Sequence, residues 1–267
     1  VWNVLPLIGM LRISFLDEYP ARITQGPGVT IEHYLSLFTE LAAYRPFLRT
    51  MGFALAVVLV NFIVALPIAY FLAKRVPRNW QIRLLILVTV PSWVSEVIRA
   101  FSQILLRASN GAINITLQWS GVPSKPIQFL YNWFAVGGGT IYVTVLFMLV
   151  PLYAAIEKIP NQVLEAASDL GASKLQRFFR VTLPLIRDGI ATGAVLVFLV
   201  STGIYTVPVL LSGPDTNLFA QVIAAQFYES NLAWPRGAAY SVAMFATALL
   251  IAALLNYLIR PKRKFRS

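Results

Sequence analysis

The 267-residue sequence is 58% hydrophobic and only 12% charged, with a formal net charge of +11 and a mean hydropathy of +0.69. Soluble domains run near about 45–50% apolar and about 25% charged, so a core solvated by water on all sides is excluded. The absence of cysteine excludes disulfide frameworks and thiolate metal or redox sites.

The apolar residues fall in blocks long enough to cross a bilayer, which takes roughly 20 residues. The first, Val1–Phe15, is short and is read as the remaining part of a first span, since Leu16-Asp17-Glu18 follows in place of a small-residue cleavage site. Then come Thr50–Leu72, Leu84–Leu106, Phe134–Ile156, Ile190–Leu211 and Ala238–Ile259. The predicted fold is an all-α polytopic membrane protein of about six spans, a single transmembrane domain over residues 1–267. His33 is the one histidine and lies in a polar stretch; a lone His is the mark of a solvated loop, and zinc sites take three or four ligands. No metal site is predicted.

The segments 74–83, 158–187 and 260–266, with their flanking acids Glu157 and Asp188, carry 14 of the 22 Lys and Arg but 4 of the 11 Asp and Glu, a net of +10 that leaves +1 for the rest. Cytoplasmic loops carry the Lys/Arg excess, which places these three segments and both ends of the chain in the cytoplasm. Topology thus accounts for the basic charge, and no nucleic-acid partner is implied; the surrounding partner is membrane lipid. The segments assigned outside hold the turn signals Gly26-Pro27-Gly28, Asn110-Gly111, Val122-Pro123 and Gly213-Pro214. Ala112–Trp119 is predicted to be a short interfacial helix. Trp119, Trp133 and Trp234 fall near span ends, where aromatic belts sit.

Residues 157–188, between the fourth and fifth spans, carry the most specific pattern. Pro160 opens a helix, its missing amide costing nothing in the first turn. Gly171 suits a left-handed stop. Ser173 with Gln176 makes a capping box for a second helix, and Thr182-Leu183-Pro184 breaks it before the next span. Helix, tight turn and helix form a rigid knob. Ala166 and Ala167 give it a face of little bulk. Glu165 and Asp169, at i and i+4, present carboxylates along one edge to a partner's cations. An ordinary connecting loop is the bland alternative for this geometry.

Glu165-Ala166-Ala167, then Gly171 and Leu183-Pro184, resembles the EAA loop of ATP-binding-cassette importer permeases of type I. Val90-Pro91-Ser92-Trp93 with Ile98-Arg99, Asn110-Gly111-Ala112-Ile113-Asn114, Pro151-Leu152-Tyr153-Ala154-Ala155-Ile156-Glu157-Lys158-Ile159 and Trp234-Pro235-Arg236-Gly237-Ala238-Ala239 are similar to the spermidine/putrescine-type permeases of that class. The resemblance implies an inner-membrane permease subunit for a polyamine-like or related small polar solute. It implies that Glu165, Ala166, Ala167, Asp169 and Gly171 form a coupling helix. The implied partners are a second permease, two nucleotide-binding subunits that hold the ATP and Mg, and a soluble solute-binding protein outside. Three positions depart from the family pattern. Asp188 stands where Pro is frequent, and Ile204 and Val209 stand where polyamine-type members often carry acids.

Within the spans, Glu96 and Arg99 lie at i and i+3, placed to pair with each other or to line a polar path. Trp93, one turn before Glu96, shares its face and either stacks on solute or packs against lipid or a neighbouring helix. A charge at the bilayer centre costs about 2.5–3.5 kcal/mol on insertion scales, which turns such residues inward. Asn61 reads as helix–helix glue. Gly189 and Gly193 have small-xxx-small spacing. Gly137-Gly138-Gly139 marks a soft outer end of the fourth span. No Gly-x-x-x-x-Gly-Lys-Ser/Thr loop occurs, so no ATP site of that kind is carried here. No nucleophile–base or paired-carboxylate set suggests catalysis. An ion-gradient-driven transporter is the alternative; it would show inverted repeats and midplane ion-binding acids, and Glu96 is the one candidate acid. The charge asymmetry predicts that a reporter fused after Ser267 is active in the cytoplasm; activity confined to the outer side would overturn the topology.

Overall fold

The computed structural model describes residues 4–19, 28–121, 126–229 and 233–260. The Gly26-Pro27 and Val122-Pro123 turns and the basic segment beyond Arg260 lie outside the described residues. In chain order the helices are α1 (Val4–Ile13), α2 (Glu32–Thr39), α3 (Leu41–Lys74), α4 (Arg78–Thr89), α5 (Glu96–Arg107), α6 (Ala112–Trp119) and α7 (Trp133–Glu157). They continue as α8 (Asn161–Asp169), α9 (Lys174–Arg177), α10 (Leu183–Leu185), α11 (Arg187–Gly203), α12 (Thr206–Leu211), α13 (Phe219–Glu229) and α14 (Trp234–Ile259). The described residues form no strand, only an isolated bridge between Leu16 and Val29.

Among the described residues three helices, α3, α7 and α14, are long and apolar enough to cross a membrane, or up to five spans if each of two bent pairs counts as one. The described part of the first block, α1, has ten residues, roughly 15 Å at 1.5 Å per residue, half a hydrocarbon core. Two blocks predicted as unbroken spans are interrupted, in each case at proline. Pro91 has no amide to give the carbonyl four residues back. The backbone tightens to a 3₁₀ turn over Val90–Trp93, turns extended at Val94 (φ −72°, ψ 139°) and restarts at Glu96. The segments on either side are bent by 89°. In the other, α11 stops at Gly203 and α12 begins at Thr206, where Pro208 leaves the Ile204 carbonyl without its helical donor. The glycine triplet 137–139 lies inside α7 and does not loosen it, because Trp133 and the Asn132 side chain start the helix upstream: Asn132 Oδ1 accepts from the Ala135 amide at 2.9 Å. Helices α2, α12 and α13 occupy stretches read as loops or spans. His33 is accordingly helical, with Nε2 3.1 Å from the Leu16 carbonyl oxygen.

The chain separates into two compact units. One comprises Val1–Phe53, Ile104–Val136 and Thr202–Leu250, and the other Ala54–Gln103, Gly137–Ser201 and Ile251–Ser267. In the first, the Thr50 hydroxyl accepts the Phe219 amide at 2.8 Å, Phe219 packs edge-on against Phe47, and the Tyr240 hydroxyl meets Ser36 at 3.1 Å. In the second, α3 buries Ala54, Val57, Asn61, Ala65 and Ala69, a spacing of three and four that makes one narrow, small-residue face. Asn61 Nδ2 donates to Thr144 Oγ1 of α7 at 2.8 Å. Such a bond is worth about 0.6 kcal/mol on average in a membrane interior, so it sets register more than stability.

Close approach of α7 and α11 depends on two glycines. A Cβ on Gly189 would sit 2.5 Å from Ala155 Cβ and 2.7 Å from the Pro151 carbonyl oxygen; one on Gly193 would sit 2.6 Å from Met148 sulfur. The first pair of obstacles is backbone and a methyl on a rigid helix, with no flexible end to yield. Gly189→Ala should therefore cost about 1–3 kcal/mol through overpacking and lower the unfolding temperature of the detergent-solubilised protein. Gly137→Ala, in the same unit with nothing within 4 Å of its Cβ, should lower nothing. Equal melting of the two variants would show that the helices do not approach as described.

Candidate functional site

The segment from α8 to α10 forms an elbow whose every turn is stabilised by a specific bond. Pro160 is the N-cap of α8, in extended conformation (φ −63°, ψ 141°), rather than its first helical residue. The Lys74 ammonium, at the end of α3, donates to the Ile159 carbonyl and, at 3.3 Å, to Asn161 Oδ1. It thereby ties the start of α8 to a long helix. At the other end the Ala172 amide bonds the Ala167 carbonyl at 3.1 Å and the Gly171 amide bonds Ser168 at 2.8 Å, the paired pattern of a Schellman stop. Gly171 has φ +81°, a conformation that side-chain-bearing residues resist. Ser173 and Gln176 form the capping box in both directions.

Arg177 closes the elbow on itself. Its guanidinium donates to Ser168 Oγ and, at 3.4 Å, to the Leu164 carbonyl, both on α8. The second helix does not end at Thr182-Leu183-Pro184 as the sequence predicts. It widens to a π-turn over Phe178–Thr182, runs on through Pro184 and breaks at Ile186. The wider turn re-pairs carbonyls ahead of the proline. Segments Lys174–Leu185 and Arg187–Gly203 are bent by 67°. The first turn of α11 is held from α14: Arg260 Nη2 donates to the Asp188 carbonyl at 3.0 Å and to Thr192 Oγ1 at 2.6 Å, and its Nε lies 3.3 Å from Asp188 Oδ1.

None of α8 is buried. Glu165, Ala166, Asp169 and Gly171 are exposed and Ala167 is half-buried. Glu165 and Asp169 have no ion-pair or hydrogen-bond partner for their carboxylates among the described residues. Leu170 at the tip is 89% exposed. The structure thus gathers the five predicted coupling residues on one stiff, outward projection.

The three predicted path residues are not gathered in the same way. Trp93 ends the 3₁₀ turn and is 82% exposed; the bend removes the shared helical face with Glu96. Glu96 and Arg99 are half-exposed on α5 and no ion pair joins them. Their helix is inside-out. Val97, Ile98, Phe101 and Leu105 face outward, while Ala100 and Gln103 are buried. Glu96, Arg99 and Gln103 lie at i, i+3 and i+7, one stripe. Gln103 is 6% exposed, and both polar atoms of its amide, like Arg99 Nε, are buried with no partner among the described residues. Gln103 was missed in the sequence because a single amide on an apolar block reads as neutral; its spacing from Glu96 and Arg99 was the available signal. Lys74, Arg177 and Arg260 were read only as topology charges.

The family of binding-protein-dependent transport system inner membrane components matches over residues 50–264. The spermidine/putrescine transport system permease protein PotB of Haemophilus influenzae is 35% identical over 248 residues, 93% of this chain and 85% of the relative. PotB of Escherichia coli K12 is 36% identical over 240 residues, 90% and 86% of the two chains. A solved structure of a bacterial alginate ABC transporter, in complex with its alginate pentasaccharide-bound periplasmic protein, aligns with TM-score 0.73 over 97% of this chain and 89% of that one, at 22% identity. That likeness speaks to the fold.

Proposed function

We propose a function from one premise: this chain belongs to the family of binding-protein-dependent transport system inner membrane components, as a permease subunit of an ATP-binding-cassette importer. The proposal is that the α8–α10 elbow engages a separate ATPase, and that the polar stripe of α5 lines part of the solute path. The observation that carries the first half is the projection itself. Its first helix has no buried residue, it carries two carboxylates with no partner among the described residues, and it is braced at three points by Lys74, Arg177 and the Gly171 turn. An element that is rigid and unspent on its outer face is built to pass force to its neighbours.

In this reading a second permease completes the path, two ATPase subunits hold ATP and Mg, and a soluble protein delivers solute from outside. Both termini and the elbow face the cytoplasm. Closure of the ATPases drives the elbows together and opens the path outward, and nucleotide release returns it, a two-state equilibrium biased by each ligand. The solute is a polyamine or a related small polar compound, supported by the names of relatives 35–36% identical over most of this chain. Trp93, Glu96, Arg99 and Gln103 are the path residues.

For the path, Glu96→Gln, Arg99→Gln and Gln103→Leu are the test. Each should shift the half-saturating solute concentration for uptake by about tenfold, the order of one charge-assisted hydrogen bond, with assembly intact. Uptake unchanged in all three assigns the stripe to structure alone.

For the elbow, Gly171→Val is the decisive change. A Cβ there meets nothing within 4 Å, so its whole effect is the penalty of a β-branched residue at φ +81°, about 1–2 kcal/mol. The spans still form but the tip is misaimed. Solute-stimulated ATP hydrolysis by the assembled complex in a bilayer should fall severely, and Gly171→Asn, which tolerates this backbone, should fall less. Glu165→Ala should give a partial loss, since an exposed pair is worth at most about 1 kcal/mol. Normal stimulation in a normally assembled Gly171→Val complex would remove the coupling role.

A further inference from the structure

A cavity of about 490 Å³ opens at the root of the elbow, with a wall that includes Ala154 of α7, Ile159, Val163 of α8 and Leu185. Lys158 and Arg260 also line it. Its lining combines aliphatic side chains with two cations, and the volume is that of a ligand site, which runs about 300–1,000 Å³.

The position of the two cations is informative. Lys158 is the first residue after Trp133–Glu157 and Arg260 the first after Trp234–Ile259, both helices of spanning length and composition. Two cations one residue beyond the ends of two spans lie at the level of lipid head groups. Lys158 has no hydrogen-bond or ion-pair partner among the described residues. Arg260 uses Nε and Nη2 on Asp188 and Thr192, and its Nη1 makes no bond among the described residues. Asp188 shares the lining and offsets one cation, which leaves it positive by one. The sequence then adds Lys262, Arg263, Lys264 and Arg266 immediately after Arg260. Basic pockets between membrane helices on the side of the positive loops are where acidic head groups bind.

We propose that this cavity is a binding site for an anionic phospholipid, with the phosphate on Lys158 and the free edge of Arg260 and the upper acyl chain along Ile159, Val163 and Leu185. The occupant joins the end of α7, the elbow and the start of α11, so its presence stiffens the root of the proposed coupling element. A zwitterionic lipid brings its own ammonium to a positive lining and binds less well. Inorganic phosphate offers the same charge without the chain that the aliphatic side chains take up.

The test is native mass spectrometry of the assembled transporter, purified in mild detergent and exchanged against phosphatidylglycerol or phosphatidylethanolamine. Phosphatidylglycerol should be retained about tenfold better, Lys158→Gln should remove most of that preference, and millimolar inorganic phosphate should not displace the lipid. Arg260→Gln should do the same but also loosens the hold on Asp188, so Lys158→Gln, whose side chain bonds nothing, is the deciding variant. Equal retention of the two lipids by the wild type, or an undiminished preference in Lys158→Gln, overturns the site. Displacement by phosphate alone shows a free-anion site and overturns the lipid.

Discussion

A backbone amide or carbonyl that leaves its helix inside a bilayer has no water to turn to, so each break in a span must be repaired by the protein itself. The architecture follows from where such breaks are tolerated. Around Pro91 the Thr89 hydroxyl bonds the Leu85 carbonyl at 2.8 Å and the Ser92 hydroxyl bonds Thr89 at 2.6 Å. The Ser92 hydroxyl thus takes up one carbonyl at the break, and the segments on either side are bent by 89°. Around Pro184 the repair is a π-turn, with no side chain needed. Prolines therefore act here as hinges with local compensation, and the two bends they permit flank the stripe on α5 and the elbow beneath α11.

The same constraint decides what the sequence could reveal. Hydropathy located the apolar blocks, because length and composition alone fix a span. It did not locate their interruptions, because whether a proline breaks a helix depends on donors supplied by neighbours. Pro151 lies inside an unbroken α7 while Pro91 ends α4. The elbow was legible nearly residue by residue, since Gly171, Ser173 and Gln176 act through local backbone geometry that a few side chains dictate. Its bracing was not. Lys74 is 85 positions from the Ile159 carbonyl it holds, and Arg260 is 72 from Asp188; no local pattern encodes pairings at that distance. Asp188 itself looked like a departure from family pattern and proves to be one end of that clamp.

Polar residues inside the chain sort by whether their bonds close. Asn61 spends its amide nitrogen on Thr144 and behaves as packing. Gln103 spends nothing, and Arg99 leaves Nε unbonded, although burial without a partner costs roughly 1–3 kcal/mol for a polar group. A helix that turns its apolar side out and keeps an unsatisfied polar stripe within carries that cost in one conformation. A transporter moves between at least two. Groups left open in one state are those with most to gain in another, or from solute; Asn61 keeps one bond and leaves only Oδ1 open, whereas both amide atoms of Gln103 are open.

The charges at the membrane boundary divide in the same manner, and the division ties the elbow to the rest. Lys74 and Arg177 are consumed by carbonyls and side chains of the elbow itself, so they stiffen it without contributing to its outer surface. Arg260 is half consumed, on Asp188 and Thr192 at the start of α11. Lys158 is free. In the proposed coupling role, an elbow braced at its own turns would pass displacement to the helices that hold its root, through Ile159 into α7 and through the break at Ile186 into α11. The half-paired cationic edge, where α7 and α14 end and α11 begins, is then where the proposed lipid would set how readily the proposed push is transmitted.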